Sequence, residues 1–227
     1  MSLGSNQIVD WDSVDTVLLD MDGTLLDLHF DHYFWTQYLP TRYSEIHSVA
    51  LTEISPIIHS RLQDKQGSLE WYCTGYWSEQ FNLDIIAIKR EIKHLICERS
   101  QAVHFLKSLG AMGKRKILIT NADRPGIELK FSETEIAPLL DVVISSHDFG
   151  APKEEQQFWH QLQTEIPFDP ARTVFIDDSE SVLKAARRFG IEYIFAVAQP
   201  DSSQLRQPIG EFSPLVNFLD LVSPANG

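Results

Sequence analysis

From Gln101 to Ala198 this chain alternates short apolar runs with segments of helical period, and that alternation limits its fold more than any other feature. Lys116-Ile117-Leu118-Ile119-Thr120, Asp141-Val142-Val143-Ile144-Ser145, Thr173-Val174-Phe175-Ile176-Asp177 and Tyr193 to Ala198 read as buried strands. Between them run predicted helices. Ala102, Val103, Phe105, Leu106 and Leu109 form one, stopped by Gly110. Others cover about Gly126 to Phe131 and Glu154 to Thr164, the latter with Phe158, Trp159 and Leu162 facing inward. Ser179 caps a helix that runs to Phe189 and ends at Gly190. Phe212 to Leu221 reads as a closing helix, and Val17 to Leu19, led in by Thr16, as a first strand far upstream. The pattern predicts an α/β chain with a parallel sheet and helices on both faces. Ligands of such sheets bind beyond the carboxyl ends of the strands, so strand-end residues carry the functional reading.

The first strand ends in Asp20-Met21-Asp22-Gly23-Thr24. Alternation along a strand allows Asp20 and Asp22 to share one side where the chain leaves the sheet, and Gly23 permits a sharp turn. Two like charges so close repel unless a cation sits between them. Oxygen ligands of this kind suit Mg²⁺, and a carboxylate held against such an ion can attack phosphorus. The second strand ends in Thr120-Asn121, a hydroxyl and an amide able to bond phosphate oxygens. Beyond the third, Pro152 fixes the backbone before Lys153, which opens the next helix and can neutralise phosphate or keep Asp20 ionised. The fourth ends in Asp177-Asp178-Ser179. Adjacent acids after an apolar strand are costly unless solvated or occupied by a cation, and a helix cap needs only one of them. Arg124 has no assigned place.

Residues 27–100 differ in character, with no convincing strand. Leu51, Ile54, Ile57, Ile58 and Leu62 recur at helical spacing, with Pro56 expected to kink or start that helix. Ile85, Ile88, Ile92, Leu95 and Ile96 do the same. This is an all-helical insert of roughly 70 residues, half the usual size of an independent domain. Residues 1–26 and 101–227 then form the core around it. Aromatic residues cluster in the insert at His29 to Trp35 and at Trp71, Tyr72, Tyr76, Trp77 and Phe81. Most should pack a small helical bundle. A few, with Trp35, Trp71 and Tyr72 as candidates, should line a cavity, where stacking of a flat base contributes on the order of 1–3 kcal/mol.

A net charge of −13 disfavours nucleic acid and anionic membranes as partners. No window approaches the roughly 20 apolar residues of a membrane span. Two unpatterned cysteines, Cys73 and Cys97, give no disulfide framework or zinc site, so a reduced, cytoplasmic setting is expected. Met1 to Ser5 reads as a cloning remnant. A monomer or a homodimer fits a chain of 227 residues.

One polar signal per strand end, in the order Asp-x-Asp-Gly-Thr, Thr, Lys, Asp-Asp, resembles the four-motif pattern of the haloacid-dehalogenase-like (HAD) phosphohydrolases. The likeness spans about residues 14 to 198, and the insert is similar to that family's cap domain. It implies a Rossmann-like HAD core and a magnesium-dependent phosphomonoesterase. On that likeness Asp20 attacks phosphorus, and Asp22 protonates the leaving alkoxide and then takes a proton from water. Thr120 and Lys153 hold the phosphoryl group, with Asn121 beside them. Asp20, the Asp22 backbone carbonyl and Asp178 ligate Mg²⁺ directly, and Asp177 through water.

Leu18 through Leu28, Phe30-Asp31, Phe34-Trp35, Trp71-Tyr72-Cys73 and Tyr76-Trp77-Ser78-Glu79-Gln80 look like bacterial GMP/IMP nucleotidases. So do Phe149-Gly150 before Pro152-Lys153 and Phe175-Ile176-Asp177-Asp178-Ser179-Glu180. That narrower resemblance implies a purine nucleoside monophosphate as substrate. The alternatives are a general sugar-phosphate or phosphoglycolate phosphatase, and a nonenzymatic regulator keeping the fold.

Overall fold

The computed structural model describes residues 8–206 and 210–222; Met1 to Ser5 lie outside them. Six parallel strands form one sheet in the order β3-β2-β1-β4-β5-β6. They are β1 (Thr16–Leu19), β2 (Arg115–Thr120), β3 (Val142–Ser145), β4 (Thr173–Asp177), β5 (Tyr193–Val197) and β6 (Ser213–Leu215). Order reverses at β1, which pairs β2 on one side and β4 on the other. That reversal opens a crevice at the carboxyl end of the sheet.

Both faces of β1 are buried. Val17 and Leu19 join a core with Phe105, Leu106, Leu109 and Phe218. Leu18 points the other way, into Phe158, Trp159, Leu162 and Phe175. Burying each large apolar side chain stabilises the fold by about 1.5–3 kcal/mol, so the strand that carries the first acids is anchored on both faces.

Several sequence expectations need correction. Phe212 to Leu221 is not one helix: Ser213–Leu215 pairs with β5, and only Leu219–Val222 is helical. Pro214 breaks a helix, and lacking an N–H it is tolerated in a strand only at an edge, where β6 lies. Gly110 does not stop its helix, which runs Ala102–Ala111; the left-handed residue is Gly113, at φ 70°. Pro56 neither starts nor ends the Leu51–Asp64 helix but lies inside it. Ser179 stands at a helix N-terminus without capping it through its side chain. Asp177 Oδ1 accepts the Ser179 N–H instead, at 2.8 Å. Lys153 precedes its helix, which begins at Gln156.

The insert is helical throughout, from His29–Tyr33 to Ile85–Glu91, apart from isolated bridges at its base. The two chain crossings run side by side. Asp27 N donates to Cys97 O at 3.0 Å, and Arg99 N donates to Leu25 O at 2.9 Å. Its own core gathers Phe30, Phe34, Ile58, Leu62, Trp77, Phe81 and Ile88, and reaches Leu129 of the sheet-bearing part. Most of the aromatic residues are thus packing groups. Phe34–Tyr38 forms a π-helical stretch, a geometry associated with functional positions, and it carries Trp35.

Candidate active site

Beyond β1 the two acids go separate ways. Asp20 Oδ1 lies 2.6 Å from Lys153 Nζ, and Asp22 Oδ1 lies 2.6 Å from Lys130 Nζ. Each carboxylate of the pair thus has a lysine of its own.

Lys153 is buried between three elements. Its ammonium also donates to Asp177 Oδ2 at 2.7 Å and to Ile119 O at 3.2 Å. Asn121 holds the loop beneath it. The amide oxygen of Asn121 accepts the Lys153 N–H at 2.9 Å, and its nitrogen donates to Glu154 Oε2 at 3.0 Å. Tyr72 of the insert donates to the other Glu154 oxygen at 3.0 Å. Asn121 thus spends its side chain on positioning Lys153. Thr120 Oγ1 accepts from Ala122 N at 3.1 Å and keeps its own proton to donate. Asp20, Asp22, Thr120, Asn121, Lys153, Asp177 and Asp178 all line one small cavity of about 180 Å³.

Carboxylate oxygens of Asp20, Asp177 and Asp178 lie within 4.8 Å of one another. Burial, joined by repulsion from Asp177 and Asp20, pushes Asp178 well above the usual carboxylate range. Burial likewise raises Asp177, and it raises Asp20 to about 6 against the pull of Lys153. Three carboxylates around one ammonium form a donor set with excess negative charge, which fits a hard divalent cation held by oxygen. The Asp22 side chain stands apart from this set. Gly23 closes the cradle: at φ +81° it takes a backbone that other residues resist, and a Cβ there would lie 2.6 Å from Asp178 Oδ2.

Lys130 carries the second cluster. It bridges Asp22 to Asp31, at 2.7 Å from Asp31 Oδ2, while Lys89 of the insert reaches Asp31 Oδ1 at 2.8 Å. Burial raises Asp22 to about 6 even though Lys130 opposes it. Burial also pushes Asp31 upward, but Lys130 and Lys89 outweigh it and hold Asp31 below its ordinary value. Lys89 and Lys130 were not singled out from sequence, and Asp31 entered only as part of a resemblance, without a role. The available signal was a lysine on a buried helical stripe: Lys89 follows Ile85 by four residues, and Lys130 follows Gly126 by four, all buried. Asp123 was also missed. Its Oδ2 accepts both the N–H and the hydroxyl of Thr74, tying insert to core. Arg124 is paired with Asp148 at 2.5 Å, toward solvent.

A second chamber of about 570 Å³ opens between insert and core. Trp35, Trp71 and Tyr72 line it, with Leu28, Leu62 and the Asp22–Lys130–Asp31–Lys89 cluster. Asp22, Leu28, Tyr72 and Ala122 face both cavities, so the two are contiguous.

A parallel α/β sheet with these acids and this lysine at its switch point defines a phosphohydrolase of the HAD type. The chain belongs to the haloacid dehalogenase-like hydrolase family, whose model matches residues 14–190. It is 44% identical over 194 residues to the GMP/IMP nucleotidase YrfG of Escherichia coli (strain K12), covering 86% of this chain and 87% of that one. It is 24% identical over 196 residues to a phosphorylated carbohydrates phosphatase of Thermotoga maritima, covering 81% and 85% of the two chains. In fold it is similar to a HAD phosphatase from Thermococcus onnurineus, with a TM-score of 0.76 at 19% identity over 92% of this chain and 96% of that one. Family membership sets aside the nonenzymatic alternative. No helix among the described residues is long and apolar enough to cross a membrane.

Proposed function

We propose that the enzyme hydrolyses purine nucleoside 5′-monophosphates, GMP and IMP among them, through an aspartyl-phosphate on Asp20. The observation that carries this reading is contiguity. A small acidic cavity holding Asp20 and Lys153 opens into an apolar chamber of about 570 Å³ walled by two tryptophans. A phosphate seated in the first projects its esterified alcohol into the second. A base between Trp35 and Trp71 gains stacking that a sugar phosphate lacks, on the order of 1–3 kcal/mol. The likeness to the Escherichia coli nucleotidase, at 44% identity, points the same way.

Asp20, held ionised by Lys153, attacks phosphorus; a new P–O bond forms as the ester P–O bond breaks. Asp22 delivers its proton to the departing 5′-alkoxide, releasing the nucleoside. Water then attacks the phospho-Asp20 while Asp22 takes its proton, and inorganic phosphate leaves. A carboxyl titrating near 6 suits both halves of this cycle, because it is neither a strong acid nor a strong base at neutral pH. Thr120 and Lys153 hold the phosphoryl oxygens. Asp20, Asp178 and, through water, Asp177 would hold Mg²⁺, with the Asp22 carbonyl as a further ligand. When bound, the ion neutralises charge on the transferring group, the main demand of phosphoryl transfer.

Phosphate release measured over GMP, IMP, ribose 5-phosphate and hexose phosphates, with and without Mg²⁺, tests the reading. Faster Mg²⁺-dependent release from GMP and IMP is expected. Equal or faster release from hexose phosphates would overturn it in favour of a general metabolite phosphatase.

A further inference from the structure

The backbone of Lys153 is held from two directions. Its carbonyl accepts the indole N–H of Trp159 at 2.8 Å, and Trp159 is fully buried in the core behind it. Its N–H is accepted by Asn121 Oδ1 at 2.9 Å, and that hold depends on which way the carboxamide is turned. A flipped carboxamide would set its NH₂ against the Lys153 N–H, donor to donor. Glu154 excludes the flip. A carboxylate only accepts, and Glu154 Oε2 takes the Asn121 NH₂ at 3.0 Å. Its other oxygen is steadied from the insert, where Tyr72 donates at 3.0 Å. Burial, joined by the charge of Glu154, pushes the Tyr72 phenol up, so it stays a donor at neutral pH. Two residues on, Thr74 gives its N–H and its hydroxyl to Asp123 Oδ2 at 2.6 and 2.5 Å. The insert thus meets the segment beyond β2 at two points, and one of them leads to the lysine. Glu154 itself lines neither the acidic cavity nor the large chamber, so any effect it has on turnover passes through the groups it bonds.

We propose that Glu154 and Tyr72 are positioning residues for Lys153: together they fix the orientation of Asn121, and through it the place of the ammonium that binds the phosphoryl group. The inference rests on the phosphoryl-binding role given to Lys153 above, and not on which alcohol the phosphate carries. The Lys153 ammonium lies 2.6 Å from Asp20 Oδ1 and 2.7 Å from Asp177 Oδ2. A shift of its backbone therefore moves a charge that must be aligned with both the nucleophile and the transferring group. Misplacing such a group by about 1 Å lowers a rate by on the order of 10²-fold.

The test measures kcat/KM for GMP and ribose 5-phosphate in the wild type, Glu154→Ala, Glu154→Gln, Tyr72→Phe and the double variant Tyr72→Phe/Glu154→Ala, with Lys153→Met as reference. Glu154→Ala lowers kcat/KM roughly tenfold to a hundredfold, by the same factor on both substrates, because the lysine acts on the phosphoryl group they share. Tyr72→Phe keeps the ring, loses the bond, and lowers it about tenfold. Glu154→Gln restores most of the activity, since its carbonyl accepts from Asn121 and its NH₂ donates to the Tyr72 oxygen. The double variant is no slower than Glu154→Ala, because residues acting in one chain are not additive. Losses that multiply in the double variant would put Tyr72 on the substrate and overturn the inference. So would Glu154→Ala at the wild-type rate, Glu154→Gln as slow as Glu154→Ala, or a loss confined to GMP. Full activity in Lys153→Met would remove the role of Lys153 in the reading above, and this inference with it.

Discussion

Two buried lysines centre two ion clusters at this site, and the clusters differ in charge balance. Lys153 faces three carboxylates, Asp20, Asp177 and Asp178, and cannot balance them. Lys130 faces Asp22 and Asp31 with Lys89 beside it, two ammonium groups for two carboxylates. The first cluster is left wanting a cation, and burial drives its acids upward. The second is balanced in number of charges: Asp31 is held low, although burial still raises Asp22 to about 6. A binding site is thus distinguished from a structural ion network by unbalanced charge rather than by the number of charged groups.

The sharpest test of that contrast is chemical. Asp20→Asn should lower turnover by roughly 10³-fold or more, as removing a nucleophile does, with circular dichroism unchanged. Appreciable Mg²⁺-dependent activity in cleanly purified protein would break the assignment.

Next in size is Lys130→Met. It leaves Asp22 and Asp31 with a single ammonium, and breaking such a buried network costs about 3–5 kcal/mol. Urea denaturation measures this. A change below about 1 kcal/mol would show that the network is no more than a surface pair in its effect.

Metal removal separates the clusters directly. Mg²⁺ should raise the melting temperature of the wild type and of Asp31→Asn, because a ligand that binds only the folded state stabilises it by about 2.7 kcal/mol at a hundred times its Kd. Asp178→Asn should lose that response, read by differential scanning calorimetry with and without EDTA. An unaltered response in Asp178→Asn would detach Asp178 from the metal.

The smallest effect is the pH dependence. A carboxyl raised in the folded state favours the protonated form. In EDTA, Asp20, raised to about 6 from 3.8, therefore makes the protein more stable as pH falls from 6 toward 4. Asp31 has the opposite sign. Its contribution is present above 3.8 and is lost as pH falls below that value toward its lower folded one. Chemical denaturation across this range should show stability rising and then falling, and Asp31→Asn should flatten only the acid limb.

The two clusters also differ in how visible they were. Lys153 follows a proline in a loop past a strand, so its place could be read along the chain. Lys130 and Lys89 lie inside amphipathic helices, where a lysine on the apolar stripe looks like a solvated residue until its partners are known. Asp31 and Asp123 are in the same position, since each bonds across the boundary between insert and core. Trp35 and Trp71 reach the chamber, while Trp77 and Phe81, of the same composition and clustering, are buried packing. Aromatic clustering alone does not separate those roles.

The order of apolar runs, their lengths and the polar residue ending each one are properties of local sequence, and they were enough to determine a parallel sheet with its reactive groups along one edge. Strand β6 escaped because three residues around a proline pair only where β5 offers an edge. The division of five acids between two lysine-centred clusters, and the shape of the cavity that Trp35 and Trp71 line, were decided by tertiary structure. Charge balance and cavity shape depend on distances between residues remote in sequence, and no local pattern encodes those distances.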